Sequence, residues 1–214
     1  MFYAFKCQVV GKIIEMIKVI LFDADGVLFF HTDKLFSERM ILEYGVHPSQ
    51  MEDFFKNIFP ECLIGRLDLK DELLKRLSVW GWPGSVDELL AYWFNYEHNI
   101  DKPLIGYIRG LKKDGLIVSV ATNNDHYRAE SLFHKLNLDE SVFDKLYAAG
   151  DLGAAKPSKA FFEQISLDLP KALPNEILFW DDNSENVAAA VDFGWQAELY
   201  TDFNDFKLKM RSYI

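Results

Sequence analysis

The stretch Lys18-Val-Ile-Leu-Phe-Asp23-Ala-Asp25-Gly26 decides the fold. Its run of β-branched and aromatic residues is typical of a buried strand in a parallel sheet, and the acidic residues and glycine that follow are typical of a loop. The same arrangement returns in Gly115-Leu-Ile-Val-Ser-Val-Ala-Thr122 and in Glu176-Ile-Leu-Phe-Trp-Asp181. We therefore expect three parallel strands that each end in polar residues.

Weaker strand patterns and helical patterns surround these three strands. The two further strand patterns are Phe143–Ala148 and Trp195–Tyr200. Apolar residues three or four positions apart predict helices over Pro103–Lys113, Tyr127–Leu136, Ser158–Leu167 and Glu185–Phe193. Strands that alternate with helices of this length predict an α/β fold of the Rossmann-like kind, with helices on both faces of a parallel sheet.

Residues 32–99 interrupt this alternation, because they show helical patterns and no strand-like run. The helical patterns are Leu35–Tyr44, Gln50–Ile58, Lys70–Val79 and Val86–Tyr96, with prolines and glycines between them. We expect a small all-α cap formed by residues 32–99, inserted after the first strand, over the C-terminal edge of the sheet. The α/β core would then comprise residues 16–31 and 100–214, preceded by an N-terminal extension of residues 1–15.

Composition narrows the range of partners and compartments. The 214 residues include 33 acidic and 23 basic ones, for a formal charge of −10, which argues against a nucleic-acid polymer or an anionic membrane as partner. The two cysteines, Cys7 and Cys62, cannot build a disulfide framework and are typical of reduced thiols in the cytoplasm. No apolar run approaches the ~18–20 residues that span a bilayer, and no signal peptide is evident. The oligomeric state is left open.

Chemically active side chains cluster at the expected strand ends. Ligands bind parallel sheets in the crevice beyond the C-terminal strand ends, so these residues would converge there. They are Asp23 and Asp25 after the first strand, Thr122 after the second, Asp181 and Asp182 after the third, and Lys156 at the start of the helix before it. So many like charges are destabilising unless a cation neutralises them. Mg²⁺, which prefers oxygen ligands, fits a site that also binds a phosphate.

These residues, in this order, resemble the four motifs of the haloacid dehalogenase-like superfamily. The motifs are Asp23-Ala-Asp25-Gly26, Thr122, Lys156-Pro157 and Asp181-Asp182, and the resemblance extends from about residue 17 to residue 200. It implies that the helical insert is the family's α-helical cap between the first two motifs. Asp25 occupies the acid/base position of the family's phosphatases and phosphomutases, whereas the dehalogenases lack an aspartate there.

The resemblance implies a role for each acidic residue. Asp23 would attack phosphorus and form an aspartyl phosphate, which is nucleophilic catalysis by a carboxylate. Asp25 would protonate the leaving alcohol and later deprotonate a water molecule. Asp23 and the backbone carbonyl of Asp25 would bind Mg²⁺, together with the pair Asp181 and Asp182. The pattern favours Asp182 as the direct ligand and Asp181 acting through water, with the reverse assignment left open. Asn186 departs from the family pattern, because many relatives have an acidic residue at that position.

The remaining candidates would contact the phosphate or the rest of the substrate. Thr122 and Lys156 would hold the phosphoryl oxygens, helped by backbone N–H groups at Asn123. Arg66, in a loop between cap helices, is the candidate for an anionic part of the substrate. Asn124 and Asp125, which follow Asn123 in the sequence, are expected to form a turn and a helix N-cap.

The resemblance therefore implies an Mg²⁺-dependent phosphatase that hydrolyses a small phosphorylated metabolite, such as a sugar phosphate or a nucleotide. A phosphomutase that acts on a sugar phosphate uses the same residues and remains an alternative. A non-catalytic module that binds a phosphorylated ligand is the alternative outside enzymes.

Overall fold

The computed structural model describes residues 16–30, 34–95, 99–135 and 142–214. The predicted N-terminal extension, residues 1–15, lies outside the described residues. Among the described residues no helix is long and apolar enough to cross a membrane.

A five-stranded parallel sheet forms the centre of the structure and confirms the predicted fold class. In spatial order its strands are β5, β4, β1, β6 and β7, so that β1 is the central strand. The strand bounds are β1 Val19–Phe22, β4 Ile117–Thr122, β5 Lys145–Ala148, β6 Ile177–Asp181 and β7 Gln196–Leu199. Each strand was expected from the sequence, with ends that differ by one or two residues.

Helices cover both faces of this sheet because β1 is apolar on both sides. Ile20 and Phe22 belong to one buried cluster, whereas Val19 and Leu21 belong to another on the opposite face. The helices of the core are α6 Lys102–Lys113, α7 His126–Lys135, α8 Ala149–Leu152, α9 Lys159–Asp168, α10 Ser184–Phe193 and α11 Phe203–Met210. The first cluster includes residues of α6, α7 and α11, and the second includes residues of α9 and α10.

The segment between β1 and α6 forms a third hydrophobic cluster of its own. Its helices are α1 Phe36–Tyr44, α2 Pro48–Asp53, α3 Phe59–Leu63, α4 Leu69–Leu74 and α5 Val86–Asn95. Aromatic rings dominate the cluster, and Phe36 stacks on Trp93 with ring centroids 4.5 Å apart. We call this helical segment the cap; its exact boundaries stay a prediction.

One helical stretch of the cap is longer than the sequence predicted. Residues 54–58 form a π-helical segment between α2 and α3, so one helical stretch continues past Pro60, which we expected to end it. Pro60 lies in the first turn of α3, where a missing N–H costs little.

A short antiparallel ribbon at the base of the cap is a correction to the prediction that residues 32–99 contain no strand. β2, Phe29–Phe30, pairs with β3, Asn99–Ile100. The first residue of β3 therefore lies within the predicted cap range. Strands of two residues are too short to produce a periodic pattern, which explains why the sequence did not indicate them. The helices α8 and α11 were also not predicted.

We expect Phe54→Ala to destabilise the cap, because Phe54 is fully buried among aromatic rings. The free energy of unfolding should fall by about 3–5 kcal/mol. Leu42→Ala in α1 is the matched control: Leu42 is 63% exposed, and the change should stay within about 0.5 kcal/mol. Denaturant titration followed by tryptophan fluorescence measures both. A similar loss in the two variants would contradict this account of the cap core.

Candidate active site

The parallel register of the three central strands brings the predicted motifs to one edge of the sheet. Phe22 of β1 pairs with Val120 of β4 and with Trp180 of β6. The residues that follow therefore emerge side by side at the C-terminal ends of the strands. The structure thus brings the candidate carboxylates of β1 and β6 to the same crevice as the end of β4.

Lys156 is the centre of a buried charge cluster at this edge. Its Nζ lies 2.8 Å from Asp23 Oδ1 and 2.7 Å from Asp181 Oδ2, and it donates a hydrogen bond to the Ala121 carbonyl at 2.9 Å. The side chains of Lys156 and Asp181 are fully buried. All three protons of the ammonium therefore have acceptors, which offsets much of the cost of burying its charge.

Burial and like charge shift the pKa values of this cluster. Burial raises the pKa of Asp23 to about 7 against the opposing charge of Lys156, and the Asp181 carboxylate adds to the rise. Burial alone would lower the pKa of Lys156, but the charges of Asp23 and Asp181 outweigh it and raise the pKa. Burial, followed by the charge of Asp181, also raises the pKa of Asp182. Burial and neighbouring negative charge thus both work against ionisation of Asp23 and Asp182.

The cluster fits a small divalent cation. Asp23, Asp181 and Asp182 each place a carboxylate oxygen within 4.8 Å of those of the other two. Gly26, at a φ of +79°, leaves room for this approach, since a Cβ there would come within 2.0 Å of Asp182 Oδ2. Oxygen ligands of this kind are those that Mg²⁺ prefers.

The two adjacent aspartates differ in how their oxygens are engaged. Asp181 accepts hydrogen bonds from the backbone N–H of Asn183 at 2.8 Å and from the Asn186 amide at 3.1 Å, in addition to its contact with Lys156. Asp182, in contrast, is exposed. Asn186, which departs from the family pattern, therefore holds Asp181 in place.

Asp25 is held by two side chains that the sequence analysis did not assign to the site. Arg128 donates from Nη2 to Asp25 Oδ1 at 2.8 Å, and Asn124 donates from Nδ2 to Asp25 Oδ2 at 3.0 Å. The same amide nitrogen lies 2.7 Å from Thr122 Oγ1. Asn124 thus connects two predicted site residues, beyond the turn we expected. The sequence predicted a helix-capping role for Asp125, and its carboxylate accepts hydrogen bonds from the backbone N–H groups of Tyr127 and Arg128.

The side chains of Asn123 and Arg66 both bond to other parts of the protein. The Asn123 side chain exchanges two hydrogen bonds with the backbone of Lys156, at 2.9 and 2.8 Å, and so fixes the loop that carries the lysine. Arg66 pairs with Glu61 at 3.3 Å and its side chain is 66% exposed. It is not among the described residues that line the cavity beside Asp25.

This arrangement can carry out phosphoryl chemistry. A carboxylate stands beside a fixed ammonium, a second carboxylate is held two residues away, and a hydroxyl completes the edge. Such groups supply a nucleophile, a proton donor and fixed positive charge where a transition state needs them.

Comparison with known proteins agrees with this geometry. Residues 17–194 match the haloacid dehalogenase-like hydrolases, and the chain belongs to that family. Its fold is that of a HAD family enzyme from Bacteroides thetaiotaomicron, with a TM-score of 0.78 at 18% identity over 92% of this chain and all of the other. A structure of that enzyme in complex with magnesium and inorganic phosphate gives a TM-score of 0.75 at 20% identity, over 89% of this chain and 98% of the other.

A curated relative gives a closer match in sequence. The chain is 26% identical to a D-ribitol-5-phosphate phosphatase of Bacteroides thetaiotaomicron over 188 residues, which cover 85% of this chain and 90% of the relative. The chain is therefore an enzyme of the hydrolase class.

The raised pKa of Asp23 predicts how the stability of the metal-free protein depends on pH. The stability contributed by this carboxyl is fully present below its ordinary pKa of 3.8 and is lost as the pH rises through about 7. Asp23→Asn removes this loss. In a chelator, we therefore expect the variant to exceed the wild type in melting temperature by more at about pH 7.5 than at about pH 5.

The control is Asp192→Asn, an exposed position in α10. Its melting temperature should follow that of the wild type at both pH values. An equal difference between Asp23→Asn and the wild type at the two pH values would contradict the burial of an uncompensated charge at Asp23.

Proposed function

We propose that this enzyme hydrolyses a small phosphate monoester with the help of Mg²⁺, through an aspartyl phosphate on Asp23. The observation that carries the proposal is the contact of Asp23 Oδ1 with the buried Lys156 ammonium at 2.8 Å, next to Asp181 and Asp182. An ammonium in this position can hold both the nucleophile and the phosphoryl oxygens.

In the first step, an oxygen of Asp23 forms a bond to phosphorus while the bond from phosphorus to the ester oxygen breaks. The leaving oxygen takes a proton from Asp25, which must carry one at this stage. Arg128 and Asn124 hold the two oxygens of Asp25, so its carboxyl stays directed at the crevice. Thr122 and the backbone N–H groups at Asn123 would donate to the phosphoryl oxygens.

In the second step, a water molecule attacks the phosphorus of the aspartyl phosphate. Asp25, now ionised, accepts the proton of that water, and the bond between phosphorus and Asp23 breaks. Inorganic phosphate leaves, and both carboxyl groups return to their starting state. The backbone of Lys156, fixed by Asn123, keeps the ammonium in place throughout.

Asp23, Asp182 and the backbone carbonyl of Asp25 would hold Mg²⁺, with Asp181 acting through water. When bound, the metal supplies positive charge that keeps Asp23 ionised and stabilises the charge on the phosphoryl group. The exposed carboxylate of Asp182 and the fully engaged oxygens of Asp181 support this division between the two aspartates. The magnesium and phosphate bound to the structural relative from Bacteroides support the same chemistry here.

We also propose that the cap, residues 32–99, opens to admit the ester and closes over the crevice during phosphoryl transfer. Closure of this kind excludes bulk water and selects the leaving group. The D-ribitol-5-phosphate phosphatase among its relatives supports a small, singly phosphorylated alcohol as the substrate. The buried free thiol of Cys62 fits the cytoplasmic location we predict.

Phosphate release from a panel of phosphate monoesters tests the function directly. With Mg²⁺ we expect release that a chelator stops and that Asp23→Asn abolishes, while Asp25→Asn lowers kcat by about 10²–10⁴-fold. The Asp192→Asn variant should match the wild type. If the wild type with Mg²⁺ releases phosphate from no ester, the proposed function is wrong. Formation of an isomerised sugar phosphate without free phosphate would instead identify a phosphomutase.

Arg128→Ala tests the positioning of Asp25. Losing the 2.8 Å contact lets the carboxyl turn away from the leaving oxygen, and misplacement of this kind costs up to about 100-fold in rate. We expect the loss in kcat rather than in KM, with partial recovery in Arg128→Lys. Arg109→Ala, at an exposed position in α6, is the control. An unchanged kcat in Arg128→Ala would refute the positioning role.

A further inference from the structure

A cavity of about 600 Å³ lies between the cap and the crevice, and its two ends differ in chemistry. From it we infer that the substrate is the phosphate ester of an alcohol whose organic part is apolar, aliphatic or aromatic, rather than a polyol. This inference rests on the proposed function and narrows its substrate class. We call this space the substrate cavity.

The polar end of the substrate cavity is formed by the core. Asp25, Asn123, Asn124 and Arg128 line it there. The leaving oxygen of the ester must face Asp25 to receive its proton. The organic part of the alcohol then extends from Asp25 into the substrate cavity, so the remaining walls decide which alcohols fit.

The remaining walls come from the cap and are apolar. Ten cap residues line the substrate cavity, and eight of them are apolar. The aromatic members are Phe36, Phe55, Phe59 and Trp93. Phe55 and Phe59 are only half-buried, although their rings contact each other at 5.5 Å. These two rings therefore leave apolar surface that a ligand can cover, which is favourable for an apolar group.

The aromatic rings of the wall are also packed against one another. Phe36 stacks on Trp93 at an interplanar angle of 14°, and Phe55 packs edge-on against both rings, at 6.3 Å and 5.6 Å. A preformed apolar surface binds an apolar group without the cost of ordering side chains.

A polyol finds few partners on this wall. Among the described cap residues that line the substrate cavity, Ser37 and Glu52 are the polar ones. Hydroxyl groups that lose water without gaining hydrogen bonds oppose binding. A second phosphate or a carboxylate on the substrate would face the negative charge of Glu52. Both considerations favour an apolar, singly charged ester.

The first experiment compares esters of primary alcohols, so that their intrinsic reactivities are similar. Cyclohexylmethyl phosphate and hexyl phosphate are the apolar members, ribitol 5-phosphate is the polyol, and methyl phosphate is too small to reach the cap wall. With the wild type and Mg²⁺, we expect kcat/KM for the two apolar esters to exceed that for ribitol 5-phosphate by at least about 10-fold.

Variants of the cap wall test whether the aromatic rings cause this preference. Phe55→Gln and Phe59→Gln should each lower kcat/KM for cyclohexylmethyl phosphate by about 10-fold and leave that for methyl phosphate unchanged. Leu42→Gln, at an exposed position of α1 outside the substrate cavity, is the matched control and should change neither. Phe55→Ala replaces any glutamine variant that circular dichroism shows to be unfolded.

A binding measurement separates this inference from the proposed function. Calorimetry with Mg²⁺ should show that cyclohexylmethylphosphonate, which cannot be hydrolysed, binds at least about 10-fold more tightly than the phosphonate analogue of ribitol 5-phosphate. Failure to hydrolyse any ester would overturn the proposed function, while the calorimetry would still decide the preference. Equal or tighter binding of the polyol analogue would overturn this inference. So would an equal loss of kcat/KM for cyclohexylmethyl phosphate and methyl phosphate in the Phe55 and Phe59 variants.

Discussion

The buried ammonium of Lys156 is the interaction on which the rest of the site depends. One positive charge lies within 2.8 Å of carboxylates from two strands, Asp23 and Asp181. Removing such a charge from its partners leaves buried anions uncompensated, which is strongly destabilising. The loop that carries Lys156 is correspondingly fixed by side-chain bonds from Asn123 and anchored to the Ala121 carbonyl. The geometry of the candidate active site therefore depends on this ion cluster.

A single positive charge does not balance the acidic groups around it, and this deficit links folding to metal binding. The pKa of Asp23 rises to about 7 mainly because the carboxyl is buried, so the metal-free site disfavours the ionised form that a nucleophile requires. Gly26 permits Asp182 to come close to the same loop, which increases the negative charge further. In the proposed mechanism, a bound cation would relieve this repulsion and keep Asp23 ionised for attack. The electrostatic cost of gathering these carboxylates would then favour metal binding.

Sequence patterns predicted the sheet and the main carboxylates because both have local signals. Buried parallel strands are continuous apolar runs, and their ends mark where polar side chains must collect. Asn124 and Arg128 had no such signal: their partners, Asp25 and Thr122, come close only after β1 and β4 pair. The β2–β3 ribbon was missed for a related reason, since two residues carry no period. Arg66 is a different case: its exposed side chain pairs with Glu61, and a position in a cap loop does not determine where a long side chain points.

The division between core and cap also explains how far a relative's substrate can be transferred. Every residue that would handle the phosphate lies on core loops, at the ends of β1, β4 and β6 or before α9. The surface that would face the organic part of the substrate comes instead from α1, α2, α5, the stretch between α2 and α3, and the start of α3. These cap elements pack around their own cluster of aromatic residues, so their inner surface can change without disturbing the ion cluster. A D-ribitol-5-phosphate phosphatase at 26% identity therefore supports the reaction, while in the proposed mechanism the side chains of this cap would select the alcohol.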